Sequence, residues 1–166
     1  MAIHYGQYVG TVKQTSPFQP VDNFFERCAN EVLGRDVYTN AGVTADGDTI
    51  ELVEQLGWET ILDPDECWLW NTAGGAGCTL SIGDAANPAV LANAISIAAA
   101  SPVGGEKMLQ AVGVASFYQP LWQLLGYASL AAAKQVASNA QLIATIGGAA
   151  FAAGSIAWKL EGGRRI

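Results

Sequence analysis

Residues 67–88 read CWLWNTAGGAGCTLSIGDAANP, and the fold turns on how they are read. Within Cys67–Asn71, the residues Cys67, Leu69 and Asn71 share one parity, while Trp68 and Trp70 share the other. Within Cys78–Gly83, Cys78, Leu80 and Ile82 oppose Thr79 and Ser81. Alternation of this kind, bounded by glycine, is the pattern of a half-buried antiparallel strand. The link Thr72-Ala73-Gly74-Gly75-Ala76-Gly77 predicts a hairpin, because glycine takes positive φ at no steric cost. A second unit resembles the first: Gln141–Ile146 and Ser155–Glu161 flank GGAAFAAG. Its last strand has the clearest alternation in the chain, with Ile156, Trp158 and Leu160 against Ser155, Ala157, Lys159 and Glu161. Two such hairpins are stable only by burying their apolar faces against each other, which predicts a mainly β protein, an antiparallel β-sandwich.

Upstream, residues 1–45 read as an N-terminal arm and a helix that make assembly contacts, and 46–166 as the sandwich domain. The arm mixes Tyr5, Tyr8 and Phe18 with Pro17 and Pro20 and shows no sustained period, so it is expected to be extended and to pair with a sheet edge or a neighbour. One short amphipathic helix is predicted over Asn23–Leu33. Asn23 caps it, Glu26 follows three residues on, and Phe24, Phe25, Cys28, Ala29, Val32 and Leu33 form one stripe ending at Gly34. Val37–Gly47 reads as loop and turn. Thr49–Leu56 reads as a strand whose alternation breaks at Val53–Glu54, in a bulge or an end. Asp63–Glu66 is an acidic turn, Asp84 or Asn87 can cap a helical turn starting at Pro88, and Ala94–Ala98 resumes as a strand. In 108–133 Pro120 breaks the chain; LWQLLGY fits a helical turn or an apolar loop, and 128–139 fits helix or edge strand.

The chain of 166 residues is 51% hydrophobic with a net charge of −7, which excludes general disorder and argues against nucleic acid as a partner. Cys28, Cys67 and Cys78 have no C-x-x-C spacing and read as reduced, buried thiols. The first residues lack a charged segment followed by an apolar core, so folding in the cytoplasm is expected. Charge placement says more than net charge. Only Asp84, Glu106, Lys107 and Lys134 lie between 67 and 158, and Lys107 and Lys134 bracket 26 uncharged residues. Either a membrane or neighbouring protein can cover such a surface. Leu142–Trp158 is 17 uncharged residues, near the lower limit of a spanning helix, but it is rich in glycine and alternates. Protein neighbours are the favoured cover.

The residues offer little chemistry. His4 is the single histidine and falls in the arm, Ser81 has no nucleophile elbow, and Asp46-Gly47-Asp48 lacks the ligand set of a calcium loop. The glycine clusters contain neither a dinucleotide fingerprint nor a P-loop lysine. No enzyme, cofactor or metal site is expected. Trp68, Trp70, Trp122 and Trp158 keep open a sugar-binding platform, although packing is the commoner fate of such rings.

In its order of elements the chain resembles small β-sandwich, jelly-roll-like virion proteins of tailed bacteriophages that decorate or cement the capsid. The resemblance rests on ILDPDECWLWNT, on CTLSIGDAANPAVLANAISIAAA with its T-L-x-I-G-D-x-x-x-P pattern (Thr79, Leu80, Ile82, Gly83, Asp84, Pro88), and on QLIATIGGAAFAAGSIAWKLE. It covers about residues 46–161. It implies a non-catalytic protein of the capsid surface, assembled in the host cytoplasm. Such a protein binds the major capsid protein or other virion proteins and is a homo-oligomer, with a trimer favoured. Tyr5, Tyr8, Phe18, Phe24, Phe25, Leu121, Trp122 and Leu125 are the candidate assembly interface. The alternatives are a glycan-binding module of a head or tail appendage and a small holin-like membrane protein.

Overall fold

The structure, a computed structural model, describes residues 31–164. Among these residues nine strands form two antiparallel sheets: β1 (Glu31–Asn40), β2 (Thr49–Leu56), β3 (Thr60–Leu62), β4 (Trp68–Asn71), β5 (Thr79–Gly83), β6 (Ala92–Ser96), β7 (Glu106–Lys107), β8 (Ala140–Gly147) and β9 (Gly154–Arg164). One sheet runs β1-β9-β4-β7, with β3 also on β9; the other runs β2-β8-β5-β6. With the short β3 set aside, β1 pairs β9, β2 pairs β8, β4 pairs β7 and β5 pairs β6. The described residues are therefore one long antiparallel ribbon wrapped into a jelly roll. The mainly β sandwich expected from the sequence is what the residues form.

The core lies between the sheets. Ile50, Leu52, Leu80, Ile82, Leu142 and Ile146 face Leu69, Ile156, Trp158 and Leu160, and all are buried. The alternation of β9 is realised as read: its even-numbered apolar residues point in, and Ala157 and Lys159 point out. The break expected in β2 is also present, since its register with β8 shifts between Glu51 and Val53 and again before Leu56.

The two predicted hairpins are corrected. β4 and β5 lie in opposite sheets, and so do β8 and β9. Each pair is an arch that crosses the sandwich, and the arches stand side by side, β4 on β9 and β5 on β8. Their glycine-rich links lock together. Phe151, fully buried in the second link, exchanges backbone hydrogen bonds with Thr44, and Ala152 N–H donates to Gly74 O. A Cβ on Gly74 would lie 2.7 Å from the Phe151 ring, so only glycine lets that ring close the end of the core.

Upstream of residue 46 the reading is corrected where it can be seen. The helix expected to reach Leu33 gives way to strand from Glu31, and 37–40, read as loop, continue that strand. β1 is therefore part of the sandwich sheet and not ahead of it. Gly34 is not a helix cap but sits beside a register shift in β1, where a Cβ would meet Val53 Cγ2 at 2.5 Å. The arm at 1–20 and the helix over 23–30 lie outside the described residues.

Among the shorter elements, Asp63–Glu66 is a turn as expected, with Asp63 Oδ1 accepting from Asp65 N–H at 2.9 Å. No helix starts at Pro88; the Asp84 carboxylate accepts the Asn87 N–H at 2.6 Å and closes a turn instead. The sixth strand occupies 92–96, two residues earlier than read. LWQLLGY opens with a helical turn, α1 (Leu121–Leu124), and the alanine-rich stretch becomes α2 (Leu130–Val136). Ser129 caps α2 by accepting the Ala132 N–H at 3.1 Å. Leu142–Trp158, the segment a spanning helix would need, is split between β8 and β9. Among the described residues no helix is long and apolar enough to cross a membrane.

Candidate functional site

The uncharged run at 108–133 is where a surface hidden by other proteins was expected. Much of it is hidden inside the same chain. Met108, Leu109, Leu121, Leu124, Leu125 and Ala133 all belong to the buried core. Leu121 and Leu125 are fully buried and so are corrected from interface to core; Trp122 is half-buried and packs against that core. Tyr5, Tyr8, Phe18, Phe24 and Phe25 lie outside the described residues. The large apolar side chains that the run leaves in solvent are in the loop before α1. There Val114 is 81% and Tyr118 66% exposed, and Tyr118 has φ +64, an uncommon conformation for a bulky residue.

This segment is tied down from two sides. Pro120 bridges to Ile61 of β3, and Trp122 N–H donates to Trp58 O at 3.1 Å. Tyr127 donates its hydroxyl to Asp84 Oδ2 and packs edge-on against Trp58 with ring centroids 5.2 Å apart. Burial first, then the Asp84 carboxylate, pushes the Tyr127 phenol up to about 12. Asn87 adds a bond from its side-chain amide to Leu125 O at 2.8 Å. Asp84 and Asn87 of the G-D-x-x-N-P turn thus hold the long connection between β7 and β8 on the body of the molecule. The sequence marks that turn but not its partner, which lies more than forty positions away.

The outer faces of the two sheets differ in chemistry. On the β1-β9-β4-β7 sheet the register places Arg35, Lys159, Trp68 and Lys107 in one row across four strands. Val37, Ala157 and Trp70 form the next. Lys107 lies 3.9 Å over the Trp68 ring, and Trp68 stacks on Trp70 at 6.5 Å between centroids. Lys159 bridges Glu66 at 3.0 Å and Glu161 at 2.8 Å; the Glu161 bond is the chief reason that its ammonium is held above the usual lysine range. The four tryptophans of the suspected sugar platform do not come together. Trp158 is buried and donates to Leu52 O, Trp122 packs on the core, and only Trp68 and Trp70 share a face. On the β2-β8-β5-β6 sheet the outer residues are mostly small and polar: Thr49, Thr145 and Ser81 make one row, and Glu51 and Ile143 the next.

The free cysteines Cys67 and Cys78 are buried, and burial pushes the Cys67 thiol up to about 11. At that value the thiolate is scarce near neutrality. Asp48 Oδ2 accepts from Ala45 N–H at 2.9 Å, a turn contact in the Asp46-Gly47-Asp48 stretch.

No protein-family model and no curated protein matches the sequence. A solved structure does: a chain of the cyanophage Pam1 capsid asymmetric unit superposes with a TM-score of 0.51 at 15% identity. The match covers 92% of this chain and 96% of that one. The two share a fold, and the shared fold extends over almost the whole of both chains.

Proposed function

We propose that this chain is a structural, non-catalytic virion protein that binds the assembled phage capsid and stabilises it, as decoration or cement proteins do. The observation that carries the reading is the end-to-end structural likeness to a chain of a phage capsid. That likeness covers 96% of the neighbour, so almost all of the neighbour takes part in it. Side-chain placement supports the reading. The described residues spend their apolar alternation on a closed core, while Val114 and Tyr118 project from an uncharged loop. Projecting apolar side chains of this kind suit contact with another protein. The subunit assembles as a homo-oligomer, in our reading a trimer at a symmetry axis of the shell, with residues 1–20 serving as a contact arm.

The test mixes purified protein with shells lacking it and measures co-sedimentation and the temperature of shell rupture. Saturable binding to assembled shells, weak binding to free shell subunits and a raised rupture temperature are expected. Deleting residues 1–20 should weaken that binding. A monomer that leaves the shells untouched would end this reading.

A further inference from the structure

We infer that the outer face of the β2-β8-β5-β6 sheet carries a docking trough for an arginine- or lysine-bearing extended segment of a shell protein, an inference that rests on the proposed capsid role. The trough has a volume of about 540 Å³. Its floor is Gln141, Ile143 and Thr145, alternate residues of β8 spaced by about 6.8 Å, so it runs for about 14 Å. One wall is Thr49 and Glu51, in register with Thr145 and Ile143. The other is Ala85 and Pro88, from the turn that the Asp84 carboxylate closes. Gly83 makes that wall possible: a Cβ there would collide with the Asn87 carbonyl, so glycine lets the turn fold back over the end of β5.

The lining selects a cation. Among the described lining residues Glu51 is the one acidic or basic side chain; it is exposed and has no ion-pair partner among the described residues. Among the described residues no basic side chain lines the trough, and a chain of net charge −7 attracts cations and repels anions. Ile143, Pro88 and Ala85 supply an apolar bed for the methylene stem of a long basic side chain, with Glu51 placed to take its charged end. Gln141 and Thr49 add neutral hydrogen-bonding groups beside it. A volume of about 540 Å³ exceeds the needs of a bound ion and suits a short run of peptide.

The test has two arms, both on the full chain. In the first, the protein is titrated with the acetylated, amidated peptide Leu-Arg-Leu and with Leu-Glu-Leu, and the amide and methyl signals of Ile143 and Thr145 are followed. The arginine peptide should move those signals and the glutamate peptide should not; equal shifts, or none, overturn the inference. In the second arm, Glu51→Gln and Ala85→Trp are compared with the parent in shell binding. Both positions are exposed, so the variants should fold, and a thermal melt confirms it. Glu51→Gln should weaken shell binding about three- to tenfold and flatten its salt dependence, and Ala85→Trp should weaken it by filling the trough. Parent-like shell binding by both variants overturns the trough while leaving the capsid role intact. Failure of the parent itself to bind shells removes the capsid role and the trough with it. A loss of self-association without a loss of shell binding assigns the trough to a second copy and also overturns the inference.

Discussion

Tyr127 donates its hydroxyl to Asp84 Oδ2 across 2.6 Å, joining residues 43 positions apart and fastening the β7–β8 connection to the turn after β5. Replacing Tyr127 with Phe should cost about 1–2 kcal/mol, the usual worth of a hydrogen bond to a charged acceptor in a half-buried setting. The pH dependence follows from the phenol at about 12, raised above its ordinary value of 10.0. A folded-state pKa above the unfolded one favours the neutral phenol in the native state. Its contribution is therefore complete below about 10 and disappears as pH climbs toward about 12. Thermal melts across that interval should show a steeper alkaline loss in the parent than in Tyr127→Phe. Parallel slopes would mean that the pair does not couple to stability.

Trp158 hangs from β9 into the core and donates its indole N–H to Leu52 O at 3.0 Å, a bond between the two sheets at the irregular stretch of β2. Trp158→Phe leaves that carbonyl unpaired and opens space beside it. A loss of about 2–4 kcal/mol is expected in denaturant unfolding, larger than volume alone would cause.

Gly34 and Val53 touch where β1 passes over β2. Gly34→Ala places a methyl 2.5 Å from Val53 Cγ2 and should destabilise by about 1–3 kcal/mol. Val53→Ala, itself mildly destabilising, should restore part of that loss, so the double-mutant cycle should show a favourable coupling. Strict additivity would place the cost elsewhere.

Asn71 is buried, and its amide donates to the carbonyls of Thr72, Ile97 and Ala99. Asn71→Asp would turn a carboxylate toward three carbonyl oxygens. We expect a loss of about 3 kcal/mol near neutrality. Part of it should return on acidification, because the buried site raises the new acid's pKa above its unfolded value and favours the protonated form. Melting temperatures of variant and parent compared at neutral and acidic pH read this directly.

The side chains that face inward in β5 and β9 were legible from alternation alone, because a period of two records which residues are buried; in β4 both parities carry apolar side chains, so alternation left open that Leu69 and Asn71, and not Trp68 and Trp70, are the buried set. Alternation does not record which strand lies alongside. Cys67–Gly83 and Gln141–Glu161 therefore looked like hairpins although each is an arch between sheets. A usable signal was present in the links, which exceed the two to five residues that hairpins favour. β1 was missed for a different reason. From Gly34 onward, the residues in register with the inward side of β9 are Gly34, the exposed Asp36 and Tyr38, none of them aliphatic; Leu33, which does pack on the core, belongs equally to the stripe of Phe24 to Leu33, whose helical period runs into the strand. In the candidate interface, the uncharged character of 108–133 was visible. Its division between Leu121 and Leu125, taken into the core, and Val114 and Tyr118, left outside, depends on contacts with distant Ile61, Trp58 and Asp84.

β9 has β1 along one edge and β4 and β3 along the other. All three precede it in the chain by many tens of residues, so during synthesis each waits without its partner until residues 154–164 emerge. Such a sandwich cannot mature piecemeal on the ribosome, and its folding should be slow and all at once. The delay leaves the edges of β1, β3 and β4 that β9 will cover open to chaperones until β9 arrives.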